Sequence, residues 1–278
     1  MAAFLLAFMV DCCMSETLTK FWSKLPPDHG KLHIHPDDLD WFRENKWDVQ
    51  DQPLLTFDKF IRSNRFREDD KQLHLSLLPV PFVGNLEKAK VFILLMNPGL
   101  GASNYYEEED AAFRAACISN ISQTNGNDEF PFFCLNPRFA WSGGFIWWEA
   151  RLRPILSKLV AKSGCTYYEA LASLAKQIVA VELIPYHSVD GSALNGRGNP
   201  WKNLPSARHA REFVKRLCGA KEKPLVVVLR SHERWGLDEH IDCTCEKCPA
   251  IRRPTLNPKL TGKSGAAGRL IMKKLRIS

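Results

Sequence analysis

Three short stretches of the chain are unbroken or nearly unbroken runs of apolar residues. They are Val91-Phe92-Ile93-Leu94-Leu95-Met96, Ile178-Val179-Ala180-Val181-Glu182-Leu183-Ile184 and Leu225-Val226-Val227-Val228-Leu229. Runs this short, without a polar face, predict strands buried on both sides. Between them lie helix-like stretches over Phe145–Val160, Tyr167–Lys176 and Ser206–Leu217. Strands alternating with helices predict an α/β domain with a central, mainly parallel sheet covered on both faces, a three-layer α/β/α fold. In such folds ligands bind at loops leaving the carboxyl ends of the strands, so the residues after each apolar run are the informative ones.

The flanking segments are less regular. Residues 15–70 are rich in aromatic and charged side chains, with helices expected over Leu18–Leu25 and Asp38–Asn45, the second opened by Pro36 and packing through Trp41, Phe42 and Trp47. The sequence divides into a start over 1–13, expected to be non-native or disordered, an N-terminal helical extension over 14–76 and a main domain over 77–278. Ser119–Glu129 is polar and turn-rich and reads as a surface loop. Gly265-Ala266-Ala267-Gly268 opens a short, basic final helix.

Composition narrows the class. The 278 residues are 45% hydrophobic and 25% charged, as in ordinary globular proteins. The net charge of +7 permits a polyanionic partner without requiring one. Nine cysteines, Cys117, Cys134, Cys165 and Cys218 among them, follow no secreted disulfide framework, which predicts a reducing compartment. The apolar start ends at Cys13, too short to span a bilayer and without a basic leader, and Met14-Ser15-Glu16 reads as the working start. The expectation is a cytoplasmic protein with no membrane partner.

The loop after the first run is Asn97-Pro98-Gly99-Leu100-Gly101-Ala102-Ser103-Asn104-Tyr105-Tyr106. Pro fixes its own φ and Gly admits conformations closed to other residues, so Asn-Pro-Gly predicts a rigid turn. A side chain fixed there can orient a water or grip a ligand, or the segment can be a plain β-to-α connection. Tyr105 and Tyr106 lead into the acidic run Glu107–Asp110, either as a helix start with one tyrosine inward or as a pocket wall. After the second run, Glu182 and His187 flank Leu183-Ile184-Pro185-Tyr186.

Apolar strand followed by Asn-Pro-Gly resembles the first motif of the mismatch-specific and single-strand-selective branches of the uracil-DNA glycosylase superfamily. The approach segment Pro79-Val80-Pro81-Phe82-Val83-Gly84 is similar to that of superfamily members, and other segments follow in the family's order. These are Phe130–Pro137, Val181–Ser188, Asn199-Pro200-Trp201, Leu225–Gly236 with Arg230-Ser231-His232, and Arg253-Pro254-Thr255-Leu256-Asn257-Pro258. The resemblance covers roughly residues 77–278.

It implies the family's fold, DNA as a partner, and a DNA-repair hydrolase cleaving the N-glycosidic bond of a damaged or unusual base. Asn97 then positions the hydrolytic water, beside Pro98 and Gly99 of the same turn, and Phe133 stacks on the extruded base. Tyr105 walls the pocket, Glu182 reads the base edge, His187 meets the departing anion and Asn257 lies in the terminal loop. Lys259 and Lys263 supply phosphate contacts. Two departures mark the chain. Glu182 stands where several members carry Asn, and an ionised carboxylate can only accept hydrogen bonds. The terminal loop has Thr255 and Asn257 but no His. A non-catalytic nucleic-acid or nucleotide-binding protein of the same fold, or a hydrolase of a small nucleoside-like substrate, fits these departures too.

Such chemistry requires no cofactor. Cys243, Cys245 and Cys248, with His240 nearby, could nevertheless close around zinc or an iron–sulfur cluster, or be reduced thiols on a loop. The one-residue gap between Cys243 and Cys245 is an unusual spacing for a metal site.

Overall fold

The computed structural model describes residues 18–26, 31–49, 52–219, 224–229, 232–237 and 266–277. The described residues form a mixed α/β structure around an open four-stranded sheet. The strands are β1 (Phe82–Val83), β2 (Val91–Leu95), β3 (Ile178–Glu182) and β4 (Leu225–Val228), in the spatial order β1-β3-β2-β4. β2 pairs in parallel with both β3 and β4, while β1 pairs antiparallel with β3 at the edge. Every residue of the three parallel strands is buried, as their apolar composition predicts.

In chain order the helices are α1 (residues 18–22), α2 (Pro36–Glu44), α3 (Phe57–Ile61), α4 (Ser103–Glu109), α5 (Ala111–Ile121), α6 (Gly143–Ser163), α7 (Tyr167–Ala175), α8 (Pro200–Asn203), α9 (Pro205–Gly219), α10 (His232–Trp235) and α11 (Ala266–Lys274). The pleat of the strands sorts them into two layers. Phe92, Leu94, Val179, Val181, Val226 and Val228 share one core with α1, α2 and α9. Their sequence neighbours Val91, Ile93, Leu95, Ile178, Ala180 and Val227 share the other with α5, α6, α7 and α11. Helices on both faces of a mostly parallel sheet are compatible with a three-layer α/β/α fold. No helix among the described residues is long and apolar enough to cross a membrane.

Local chemistry sets the ends of the elements next to the candidate site. α6 begins where the Ser142 hydroxyl accepts from the Phe145 amide at 3.1 Å and ends at Gly164 in the left-handed region. Its buried residues Trp148, Leu152, Ile155 and Leu156 follow helical spacing. Gly84 has φ of +112°, and a Cβ there would lie 2.6 Å from the Ile178 carbonyl oxygen. The approach segment can cross the start of β3 only as glycine.

Two expectations need amendment. Ser119–Ile121 lies inside α5 and Thr124–Asn127 forms a 3-10 turn, so the expected surface loop is largely ordered. The reason is Asn120, whose side chain donates to the Phe82 carbonyl at 2.6 Å and accepts from the Gly84 amide at 2.9 Å, pairing backbone groups beside β1. Gly99 does not have a positive φ, so the Asn-Pro-Gly turn makes no conformational demand for glycine there. The segment before residue 77 contributes to the core on the sheet's first face. Leu18, Phe21, Trp22, Phe42, Leu73 and Leu75 pack in one cluster with Phe92 and Leu94.

Candidate functional site

The loops after β2 and β3 continue the strands' pairing. Gly99 and Ser188 form an isolated parallel bridge, and the Ser188 amide donates to the Pro98 carbonyl at 3.3 Å. A second bridge joins His187 to His74, whose amide donates to the His187 carbonyl at 2.9 Å. Asn97 sits between the two loops. Its Nδ2 donates to Ser188 Oγ at 2.8 Å and to the Pro98 carbonyl at 3.0 Å. A carbonyl only accepts, so this fixes which end of the amide is nitrogen. The Ser188 hydroxyl spends its proton on the Asp190 carbonyl at 2.6 Å and is left an acceptor for Asn97. Asn97 Oδ1 takes no hydrogen bond among the described residues, so a rigid amide presents a spare acceptor.

Asn97 lines a cavity of about 390 Å3 together with Pro98, Gly99, Phe133, Glu182 and His187. The pleat of β3 accounts for Glu182: it falls on the same side as cavity-lining Ala180, while Val181 faces the other core. Gly99 opens onto free space, since a Cβ there would meet nothing within 4 Å. The wall behind Phe133 is aromatic, with Phe113 edge-on to it at 5.6 Å and with Trp147 and Trp148 of α6. Cys117 and Cys134 also line the cavity, and burial pushes both thiols up, so they are not thiolate nucleophiles.

Burial also decides the state of His187. It lowers the imidazole to about 4, so the ring is neutral at pH 7. Nδ1 lies 2.9 Å from the Gly99 carbonyl, and the ring also meets the Leu78 backbone, whose carbonyl can likewise only accept. A neutral ring has one proton to divide between these backbone acceptors, which leaves it a poor donor to a departing anion.

Tyr105 does not line the cavity. It projects from the other side of α4, stacks on Phe60 at 4.3 Å, and its hydroxyl meets His74 Nδ1 at 3.0 Å. Tyr106 is 55% exposed. Asn257, Lys259, Lys263, His240, Cys243, Cys245 and Cys248 lie outside the described residues, as does Arg230. Among the described residues no group of three His, Cys, Asp or Glu could hold a metal ion.

Two cavity residues were not singled out from sequence. Glu107 accepts from Ser103 Oγ at 2.9 Å, from Asn104 Nδ2 at 3.0 Å and from the Gly143 amide at 2.6 Å, tying α4 to the start of α6. Glu108 accepts from the Leu78 amide at 2.6 Å and from Arg114 Nη1 at 2.9 Å. Burial outweighs the arginine and raises the Glu108 carboxyl to about 7. The signal available was the helical phase of Tyr105–Glu108, which turns one tyrosine to the core and the next to solvent.

Comparison with protein-family models, curated proteins and solved structures found no match for this chain.

Proposed function

We propose that this chain is a divergent uracil-DNA glycosylase-like protein that binds DNA and hydrolyses the N-glycosidic bond of a damaged or unusual base. The observation that carries the reading is Asn97, an amide anchored through its nitrogen, its oxygen unpaired among the described residues, in the lining of an aromatic-walled cavity after a parallel strand. The order of motifs over residues 77–278 supports it as well.

In this reading the target nucleotide leaves its stack and its base enters the cavity against Phe133. Asn97 Oδ1 accepts a hydrogen bond from the attacking water and turns the oxygen lone pair toward the sugar carbon. Little is lost in reorganisation, because Ser188 and Pro98 already hold the amide. The departing base needs its negative charge relieved. Glu108 is the cavity carboxyl that burial leaves partly protonated near neutrality, and it serves as the proton source in place of His187. Glu182 reads the base edge.

A second reading keeps the fold and the base pocket without cleavage. It is favoured by the two backbone acceptors, at Gly99 and Leu78, that already compete for the one proton of the neutral His187 ring. Base-release assays with single- and double-stranded oligonucleotides carrying uracil, hypoxanthine, xanthine or oxidised bases separate the two. The enzyme reading expects an abasic product from at least one of them. Saturable binding with no release supports the binding protein, and release from free nucleosides alone supports a small-molecule hydrolase.

A further inference from the structure

The aromatic wall of the cavity does not stop at its lining. Phe133 contacts Phe113 at 5.6 Å, Phe113 contacts Trp141 at 5.8 Å, Trp141 contacts Tyr106 at 6.0 Å, and Tyr106 contacts Phe57 at 5.6 Å. The first two rings are buried, whereas Trp141 and Tyr106 are 42% and 55% exposed. The outer rings stand on the two segments that Glu107 ties together through the Gly143 amide, and both segments line the cavity. A protein surface rarely leaves large rings in a continuous row exposed to water without a use for them.

Charge divides along the same path. The interior presents Glu107, Glu108 and Glu182, and no lysine or arginine among the described lining residues. Cations stand outside it: Arg138 is exposed three residues before Trp141, and the Arg151 guanidinium lies 3.5 Å over the Trp147 ring. A ligand that placed phosphate in the cavity would meet carboxylates. One that placed a neutral ring there and kept its phosphates outside would avoid them.

We infer that Trp141 and Tyr106 form a stacking platform for the bases flanking the one held in the cavity, so that the bound ligand is a single strand of nucleic acid. Unstacked bases are the partner that suits exposed ring faces spaced along a path with cations beside it, and the contact tolerates any sequence because every base has a π-face. The inference rests on the reading of the cavity as a base site.

The test compares a mononucleoside with a short single-stranded oligonucleotide carrying the same base, chosen from uracil, hypoxanthine, xanthine and oxidised bases. Binding to the full chain is followed by tryptophan fluorescence. The oligonucleotide is expected to bind the wild type more tightly than the nucleoside. Trp141→Ala and Tyr106→Ala should each weaken oligonucleotide binding about ten- to a hundredfold and leave nucleoside binding unchanged. Trp141→Phe, which keeps a ring, should restore most of the loss, and thermal melting checks that each variant is folded. An oligonucleotide that binds the wild type no better than the nucleoside overturns the platform and leaves the base site standing. So does undiminished oligonucleotide binding by both alanine variants. If neither probe binds, but anionic phosphatidylglycerol vesicles do and lose affinity in the same variants, the rim is a lipid surface. The base-site reading then falls with the platform.

Discussion

Tyr186 and His187 are neighbours in one loop, and they serve opposite sides of the sheet in opposite ways. Tyr186 is fully buried on the face shared with α1, α2 and α9. Its hydroxyl donates to Asp38 Oδ2 at 2.7 Å and accepts from the His35 amide at 3.2 Å, while Asp38 Oδ1 accepts from the Ser206 amide at 2.9 Å. His35 in turn donates from Nε2 to the Phe21 carbonyl at 2.8 Å and accepts at Nδ1 from the Asp37 amide at 3.2 Å. The donors and acceptors of this group are spent on one another, and it joins α2 and α9 to the sheet. His187 faces the cavity, where Asn97 keeps an acceptor in reserve and burial raises the Glu108 carboxyl to about 7. Closed pairing makes a structural network, because an unpaired buried group costs more than a pair contributes. An acceptor in reserve beside a cavity is the arrangement a ligand or water completes.

The largest effect should come from the reserve acceptor. Under the proposed function, Asn97→Ala should lower base release about a hundredfold or more, since it would remove the group proposed to orient the water. It should change the unfolding free energy by less than about 1 kcal/mol, because Asn97 is only half-buried and the Ser188 hydroxyl it leaves keeps its Asp190 partner. Single-turnover release assays and denaturant unfolding measure the two separately. Wild-type turnover in the variant would remove Asn97 from the mechanism.

The closed network should respond in stability and not in turnover. Tyr186→Phe strips Asp38 of a donor and the His35 amide of its acceptor, and should cost about 1–3 kcal/mol. It should also alter the pH dependence. Burial raises Asp38 from 3.8 to about 6, against which the Tyr186 hydrogen bond works. A raised carboxyl binds its proton more readily folded than unfolded. Its contribution is therefore complete below pH 3.8 and is lost as pH rises through about 6. His187 runs the other way, its contribution being present above pH 6.5 and lost as pH falls towards about 4. Removing the tyrosine hydroxyl should push Asp38 higher still and extend the loss above pH 6. Melting temperatures across that range, with Asp38→Asn as the variant lacking the slope, check the sign.

The contrast between the two faces was only half legible in the sequence. Parallel strands buried on both sides must be apolar throughout, so β2, β3 and β4 stand out as runs, and the loops after them mark the site. β1 did not stand out, because two residues have no periodicity and its pairing with β3 depends on Gly84 and Asn120 far along the chain. Glu107 and Glu108 were hidden for another reason. An acidic run normally reads as a solvated helix face, yet Glu107 is 2% exposed and held by three donors that only the fold brings together. Tyr105 shows the same limit, since the chain alone does not say which of two adjacent tyrosines a short helix turns inward.

The smallest effect, and the one that most sharpens the comparison, concerns Glu182. It lies on the cavity side of β3 and is 9% exposed. An ionised carboxylate there can accept from an amino or imino edge and repels a carbonyl edge. Glu182→Asn supplies a donor as well as an acceptor, and should shift relative preference towards uracil about tenfold, near 1.4 kcal/mol, with little change in melting temperature. If Glu182 instead belongs to a structural pair of the kind that Asp38 and Tyr186 make, both Glu182→Asn and Glu182→Gln should melt earlier and discriminate as the wild type does, because a partner left behind in a buried site costs several kcal/mol. The two outcomes assign Glu182 to the cavity or to the closed side of the contrast. Variants that match the wild type in both stability and base preference would exclude it from each.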